Sequence, residues 1–102
     1  MSFAEVELDV IRWSEARQII PNSTPLAQAK KAKEEVQELY DALVLNDHVA
    51  AIDGIGDTMV CLINVCALMD VNLTDCLQAA YNEIKDRKGF LGKDGIYVKQ
   101  AV

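Results

Sequence analysis

The sequence has little of what marks a specialised surface. Among 102 residues it has one His, one Trp, two Pro and only 6% aromatics. One histidine argues against a di-iron bundle site, which draws a Glu-x-x-His pair from each of two helices. Positive charge is scarce too: 10 Lys and Arg stand against 16 Asp and Glu, for a net charge of −6. Wrapping nucleic acid needs clustered cations to displace counterions, so no nucleic-acid partner is expected. The three cysteines, Cys61, Cys66 and Cys76, show neither a CxxC pair nor Cys/His ligand spacing. That reads as reduced thiols in a cytoplasmic protein. The N-terminus, MSFAEVELDV, lacks the apolar core of a secretory signal. The longest apolar run contains Asp57 and Asn64 and reads as short of a membrane span, so no membrane is expected. No glycine-rich phosphate loop and no Ser–His–Asp or Cys–His arrangement is evident.

What is present is 51% hydrophobic and 25% charged, the balance of one soluble domain with a modest core. Phe3, Val6, Val10, Trp13, Arg17 and Ile20 recur at helical steps, which predicts a first helix over 3–20. PNSTP breaks it, with Thr24 as N-cap and Pro25 opening a second helix over 25–46. Its expected inner stripe is Leu26, Ala29, Ala32, Val36, Leu39, Tyr40 and Leu43. Asn46 or Asp47 caps a third helix over 48–69. Gly54 and Gly56 lie inside that helix, each costing about 1 kcal/mol against Ala. Two such glycines suggest close backbone approach to another element. Asn72 or Thr74 caps a fourth helix reaching about residue 88, with Leu77, Ala80, Tyr81 and Ile84 inward. KGFLGKDGIYVKQ then reads as a hairpin or extended tail. The expectation is one all-α domain over 1–102: a four-helix bundle with a short tail, whose apolar excess fits oligomerisation.

The third helix is apolar on every side except for one polar seam, Asp53, Asp57 and Asn64. A helix of that kind is normally buried. Two carboxylates within one buried turn repel each other and lose their hydration unless something positive neutralises them. Helix capping with a solvent-facing seam is the plain alternative; a divalent-cation site is the functional one. On the second helix, Glu34, Glu35 and Glu38 form an EExxE pattern. Alone, that pattern also describes a solvated face paired with Lys30, Lys31 and Lys33. Five carboxylates on adjacent antiparallel helices would make an all-oxygen site suited to Mg²⁺, with Mn²⁺ possible. On the fourth helix Gln78, Asn82 and Lys85 share a side, followed by Arg87 and Lys88. These read either as a basic end favourable to the helix dipole or as donors to phosphate oxygens. Trp13 fits a core or dimer interface, or a base-stacking role beside Arg17.

QAKKAKEEVQEL followed by DGIGDTMVCLINV resembles the MazG-like nucleotide pyrophosphohydrolases of the all-α NTP pyrophosphatase superfamily. The ending, AYNEIKDRKG to IYVK, looks like the short phage-type members. The resemblance runs from Trp13 to Lys99. It implies Mg²⁺-dependent hydrolysis of a nucleoside triphosphate to a monophosphate and pyrophosphate, by helix-bundle subunits assembled as homodimers or homotetramers. It places metal ligands at Glu34, Glu35, Glu38, Asp53 and Asp57, with Glu35 and Glu38 as the catalytic carboxylates. Substrate contacts would fall to Trp13, Arg17, Gln28, Lys31, Asn82, Lys85 and Lys88. The family's second motif is usually ExxD, and here its glutamate falls on Gly54. That departure leaves a second functional class open, a non-catalytic nucleotide-binding or regulatory helical oligomer.

Overall fold

Every long helix starts where a side chain can hold its free amides. In the computed structural model, which describes residues 1–100, the oxygens of Ser2, Thr24, Asp47 and Asn72 accept from the backbone amides of Glu5, Ala27, Ala50 and Asp75. Each such cap is worth about 1 kcal/mol. They open α1 (Phe3–Ala16), α3 (Pro25–Val44), α4 (His48–Leu68) and α5 (Leu73–Ile84); the short α2 (Ile19–Asn22) lies between α1 and α3. Left-handed residues close the turns: Gln18 at φ 66°, Asn46 at φ 54° and Asp70 at φ 60°. The chain ends in a two-stranded antiparallel hairpin, β1 (Gly89–Leu91) and β2 (Tyr97–Lys99), with Phe90 opposite Val98.

The main body is the α3–α4 hairpin. Its interface is built from small residues and sulfur: Ala32 and Ala42 are buried on α3, and Ala51, Gly54 and Cys61 on α4. A Cβ on Gly54 would lie 3.0 Å from Leu39 Cβ and 3.1 Å from Leu39 Cα, so the backbones touch here. The close approach suggested by the glycines is therefore present at Gly54. It is absent at Gly56, where a Cβ would meet nothing within 4 Å.

Helix α1 lies on α4 through a polar face, with Glu7 and Ser14 buried while Phe3, Val6 and Trp13 stay exposed. Helix α5 touches α1 and α4 only. Its first turn is held by Glu7. That carboxylate accepts from the amides of Leu73 and Thr74, and from Thr74 Oγ1 at 2.7 Å.

Four expectations need correction. The first helix is broken earlier than expected, at Gln18, and Pro21 is tolerated in the first turn of α2, where no amide is required; PNSTP then breaks the chain at Ser23 and Thr24 as expected. Helix α5 ends at Ile84, so Lys85, Arg87 and Lys88 lie at or beyond its C-cap. The apolar stripe of α5 does not face the core and that of α3 does so only in part: Leu26 is 80% exposed, Tyr40 63% and Leu77 61%, while Ala32 is buried and Ala29 and Leu39 half-buried as expected. Glu35 and Ala42 complete the inward face of α3. Finally, α4 is long and apolar enough to cross a membrane by length and composition. It packs along α3 and carries the buried hydrogen bonds of Asn64 described below, with 33% of its apolar stretch buried.

The chain is also more extended than its length requires. Its radius of gyration is 16.0 Å, against about 13 Å for a compact domain of ~100 residues. Apolar faces of α3, α4 and α5 are left without a covering layer among the described residues.

Candidate metal and nucleotide site

Lys31, Glu34, Glu35 and Glu38 lie on successive turns of α3, and Glu35 is turned toward α4, 8% exposed. Its Oε1 lies 3.4 Å from Lys31 Nζ, which is also 3.4 Å from Glu34 Oε2. Its Oε2 is buried with no hydrogen-bond partner. An ionised oxygen in that state is costly. The Lys31 ammonium is held above its usual pKa by hydrogen bonding first to Glu35 and then to Glu34. The Glu38 carboxyl is also raised, chiefly by the Glu35 carboxyl beside it; Asp57 adds to this and Lys31 opposes it.

Asp57 approaches this group from α4. The Cys61 thiol, one turn further on, is pushed up by burial first and then by the negative field of Glu35, Asp57 and Glu34. The structure thus brings Glu34, Glu35, Glu38 and Asp57 into one electrostatic neighbourhood around Lys31. Asp53 is exposed one turn earlier on α4 and does not figure in the surroundings of Glu38 or Cys61. Among the described residues no three Asp, Glu, His or Cys side chains close into a metal-holding group. Like charges spread when free to do so, and Glu34, Glu38, Asp53 and Asp57 all have exposed side chains.

The polar seam of α4 divides in two. Asp53 and Asp57 face solvent, which corrects the expectation of a buried acidic seam; their side of α4 is open. Asn64 is the buried member, 2% exposed. Its Oδ1 accepts from Ser14 Oγ at 2.6 Å, and its Nδ2 donates to Gln28 Oε1 at 3.1 Å. Gln28 Nε2 in turn donates to Ser23 Oγ at 3.0 Å. This chain ties α1, α4 and the start of α3 together, and occupies both ends of the Gln28 amide.

Gly54 is explained by the same packing. A Cβ there already presses on Leu39, so a larger side chain requires α3 and α4 to shift apart.

Trp13 is 48% exposed, and the Arg17 guanidinium lies 5.6 Å from its ring centroid, a cation–π pair at the end of α1. Asn82, Lys85 and Lys88 are exposed on or beyond α5, which does not touch α3. Asn82 Oδ1 accepts from Gln78 Nε2. Within one chain these basic and amide groups are not gathered with the acidic cluster. Two working residues escaped the sequence reading, Glu7 and Ser14. Polar residues on an otherwise apolar helix give no signal that theirs is the buried face.

A family model described as phosphoribosyl-ATP pyrophosphohydrolase matches residues 13–83, a span from Trp13 through both acidic motifs into α5. The chain belongs to this family. That places it among the nucleotide pyrophosphohydrolases, which are hydrolases. Among solved structures, this pyrophosphohydrolase is similar to the cyanophage S-2L MazG-like pyrophosphohydrolase, a protein bound to dGDP and three catalytic Mn²⁺ ions per active site. The TM-score is 0.72 over 99% of each chain at 18% identity, a likeness of fold. No curated protein sequence matches.

Proposed function

We propose that this pyrophosphohydrolase cleaves a nucleoside or deoxynucleoside triphosphate to the monophosphate and pyrophosphate, with Mg²⁺ or Mn²⁺, in the cytoplasm. The observation that carries the reading is Glu35 Oε2, a buried carboxylate oxygen with no hydrogen-bond partner beside other acids. Oxygen donors of this kind fit a hard divalent cation. The fold neighbour's nucleotide and three Mn²⁺ ions support the same reading.

Glu34, Glu35, Glu38 and Asp57 would hold the metal, with Asp53 joining from the preceding turn. When bound, a divalent cation neutralises phosphate oxygens and lowers the pKa of a bound water. The protein's own groups do the rest. Glu35, fixed by burial, orients the cluster. Glu38 or Glu35 accepts the attacking water's proton. Lys31, on the edge of the acids, donates to the phosphates. Trp13 and Arg17 offer a flat cationic face for a base, and Gln28 is a positioning residue near that face. Asn82, Lys85 and Lys88 reach the phosphates only from another subunit. We therefore assign the exposed apolar faces of α3, α4 and α5 to a homodimer or homotetramer interface.

The non-catalytic alternative drew its support from Gly54. The close approach to Leu39 gives that residue a packing reason of its own.

The test is pyrophosphate release from a panel of NTPs, dNTPs and phosphoribosyl-ATP with Mg²⁺ or Mn²⁺. At least one substrate should turn over, and Asp57→Asn should abolish it with the fold intact. Silence across the whole panel would sink the enzyme reading. Sedimentation should show a dimer or tetramer; a monomer at working concentrations would remove the interface assignment.

A further inference from the structure

The junction of α4 and α5 carries two sulfurs that the proposed hydrolysis does not use. Cys66 is buried near the end of α4, Cys76 is exposed in the first turn of α5, and their Sγ atoms lie 4.0 Å apart. A disulfide needs about 2 Å between sulfurs. Closing the remaining gap falls to the two side chains, because the backbone between them is already tied. The Met69 and Val71 amides donate to the Cys66 carbonyl at 3.0 and 2.9 Å, and the Cys76 amide donates to the Asn72 carbonyl. Helix α5 has no buried residue of its own and is held at its start by Glu7. One covalent bond there would tie α5 directly to α4.

We propose that Cys66 and Cys76 form an oxidisable pair, a modification site at which a hydroperoxide converts two thiols to a disulfide that locks α5 onto α4. The exposed sulfur reacts first. Cys76, as thiolate, attacks a peroxide oxygen: the S–O bond forms, the O–O bond breaks, and the departing oxygen takes a proton to leave as water or alcohol. Cys66 Sγ then attacks the Cys76 sulfur. The S–S bond forms, the S–O bond breaks, and the hydroxide leaves with the Cys66 proton as water. The two sulfurs together lose two electrons, which the peroxide gains. Burial, with the Cys76 thiol beside it, pushes the Cys66 thiol up to about 11, so the second step is slow near neutral pH and faster in mild alkali. Cys61 is buried among the carboxylates of the acidic cluster and stays out of the exchange. The product bridges helices that meet at the carboxyl end of α4, away from Asp53 and Asp57 at its amino end.

The experiment uses the whole chain treated with hydrogen peroxide, then alkylated under denaturing conditions. Cleavage before Asp70 and Asp75 and after Leu62 puts the three cysteines on separate peptides. Free thiols should fall from three to one, with a single linked pair, Cys66 to Cys76, within a chain. The linkage should reverse with dithiothreitol, and the oxidised form should melt at a higher temperature. Cys76→Ser, a surface change, should keep two free thiols and show no linked peptide. Three thiols surviving prolonged peroxide, a linkage between chains, or Cys76 accumulating as sulfinic acid with Cys66 still free would each overturn the proposal. None of these readouts depends on a metal, a nucleotide or turnover.

Discussion

Gly54 offers the sharpest test of how the two central helices meet. Replacing it with Ala adds one methyl at 3.0 Å from Leu39 Cβ and 3.1 Å from Leu39 Cα. The second contact is backbone in the middle of α3, so relief requires moving a helix. Overpacking of this kind costs about 1–3 kcal/mol. Against it stands the helix propensity of Ala over Gly, about 1 kcal/mol. The net expectation is a loss of up to about 2 kcal/mol. Gly56→Ala is the matched control, since nothing lies within 4 Å of its added methyl. It should gain about 1 kcal/mol from propensity alone. The difference between the two variants isolates the overpacking term, about 1–3 kcal/mol. In a domain this size, each kcal/mol moves the melting midpoint by roughly 4–8 °C. Far-UV circular dichroism against heat and urea reads it, at one protein concentration because an oligomer's midpoint depends on concentration. Gly54→Ala as stable as Gly56→Ala would refute the close approach. Gly54→Glu carries the argument to function. By motif alone it restores the missing ligand; by packing it forces α3 and α4 apart and lowers both stability and turnover. Faster turnover in that variant would show that the helices can open to admit it.

Three further outcomes follow from other sites. Glu38's raised pKa means the native state holds its proton more tightly than the unfolded chain, so metal-free stability is lost as pH rises through the raised value. Glu38→Gln should therefore melt higher than the wild type in chelator near neutral pH, match it in acid, and lose the upward shift that Mn²⁺ gives the wild type; equal midpoints at neutral pH would deny the Glu35–Glu38 repulsion. Asn64→Ala strands Ser14 Oγ and Gln28 Oε1, groups that lie 2.6 and 3.1 Å from it. Stranded buried groups cost about 1–3 kcal/mol each, and urea unfolding checks this; a change below about 1 kcal/mol would mean water replaces the amide. Glu7→Ala removes the acceptor for the Leu73 and Thr74 amides. Hydrogen exchange should then speed up at the start of α5 while α3 and α4 keep their protection; uniform loss would mean α5 is not an independently opening unit.

Local signals were legible because they act within a few residues. The caps at Thr24 and Asp47, the proline at the first position of α3, the turn at Asn46 and the closing hairpin all follow from neighbours along the chain. The EExxE pattern and Asp57 could be read as neighbours because helical spacing fixes which residues share a face, and a short turn makes α3 and α4 adjacent. What lay beyond the sequence was which face each helix turns inward. Periodicity pointed rightly to Ala32 but also to Leu26, Tyr40 and Leu77, which stay exposed, while the fold buries Glu35 and Ala42 on α3 and Glu7 and Ser14 on α1. An apolar stripe reports that a surface will be covered, not whether its own chain or a second copy covers it. Likewise the seam of α4 announced three polar residues, and only packing separated Asn64, which bolts three helices together, from Asp57, which faces the acids of α3. Gly54 was a departure from a motif until Leu39 stood beside it. Sequence sets the backbone's local geometry; contact between segments distant in the chain decides burial, and burial decides which carboxylate keeps an unpartnered oxygen.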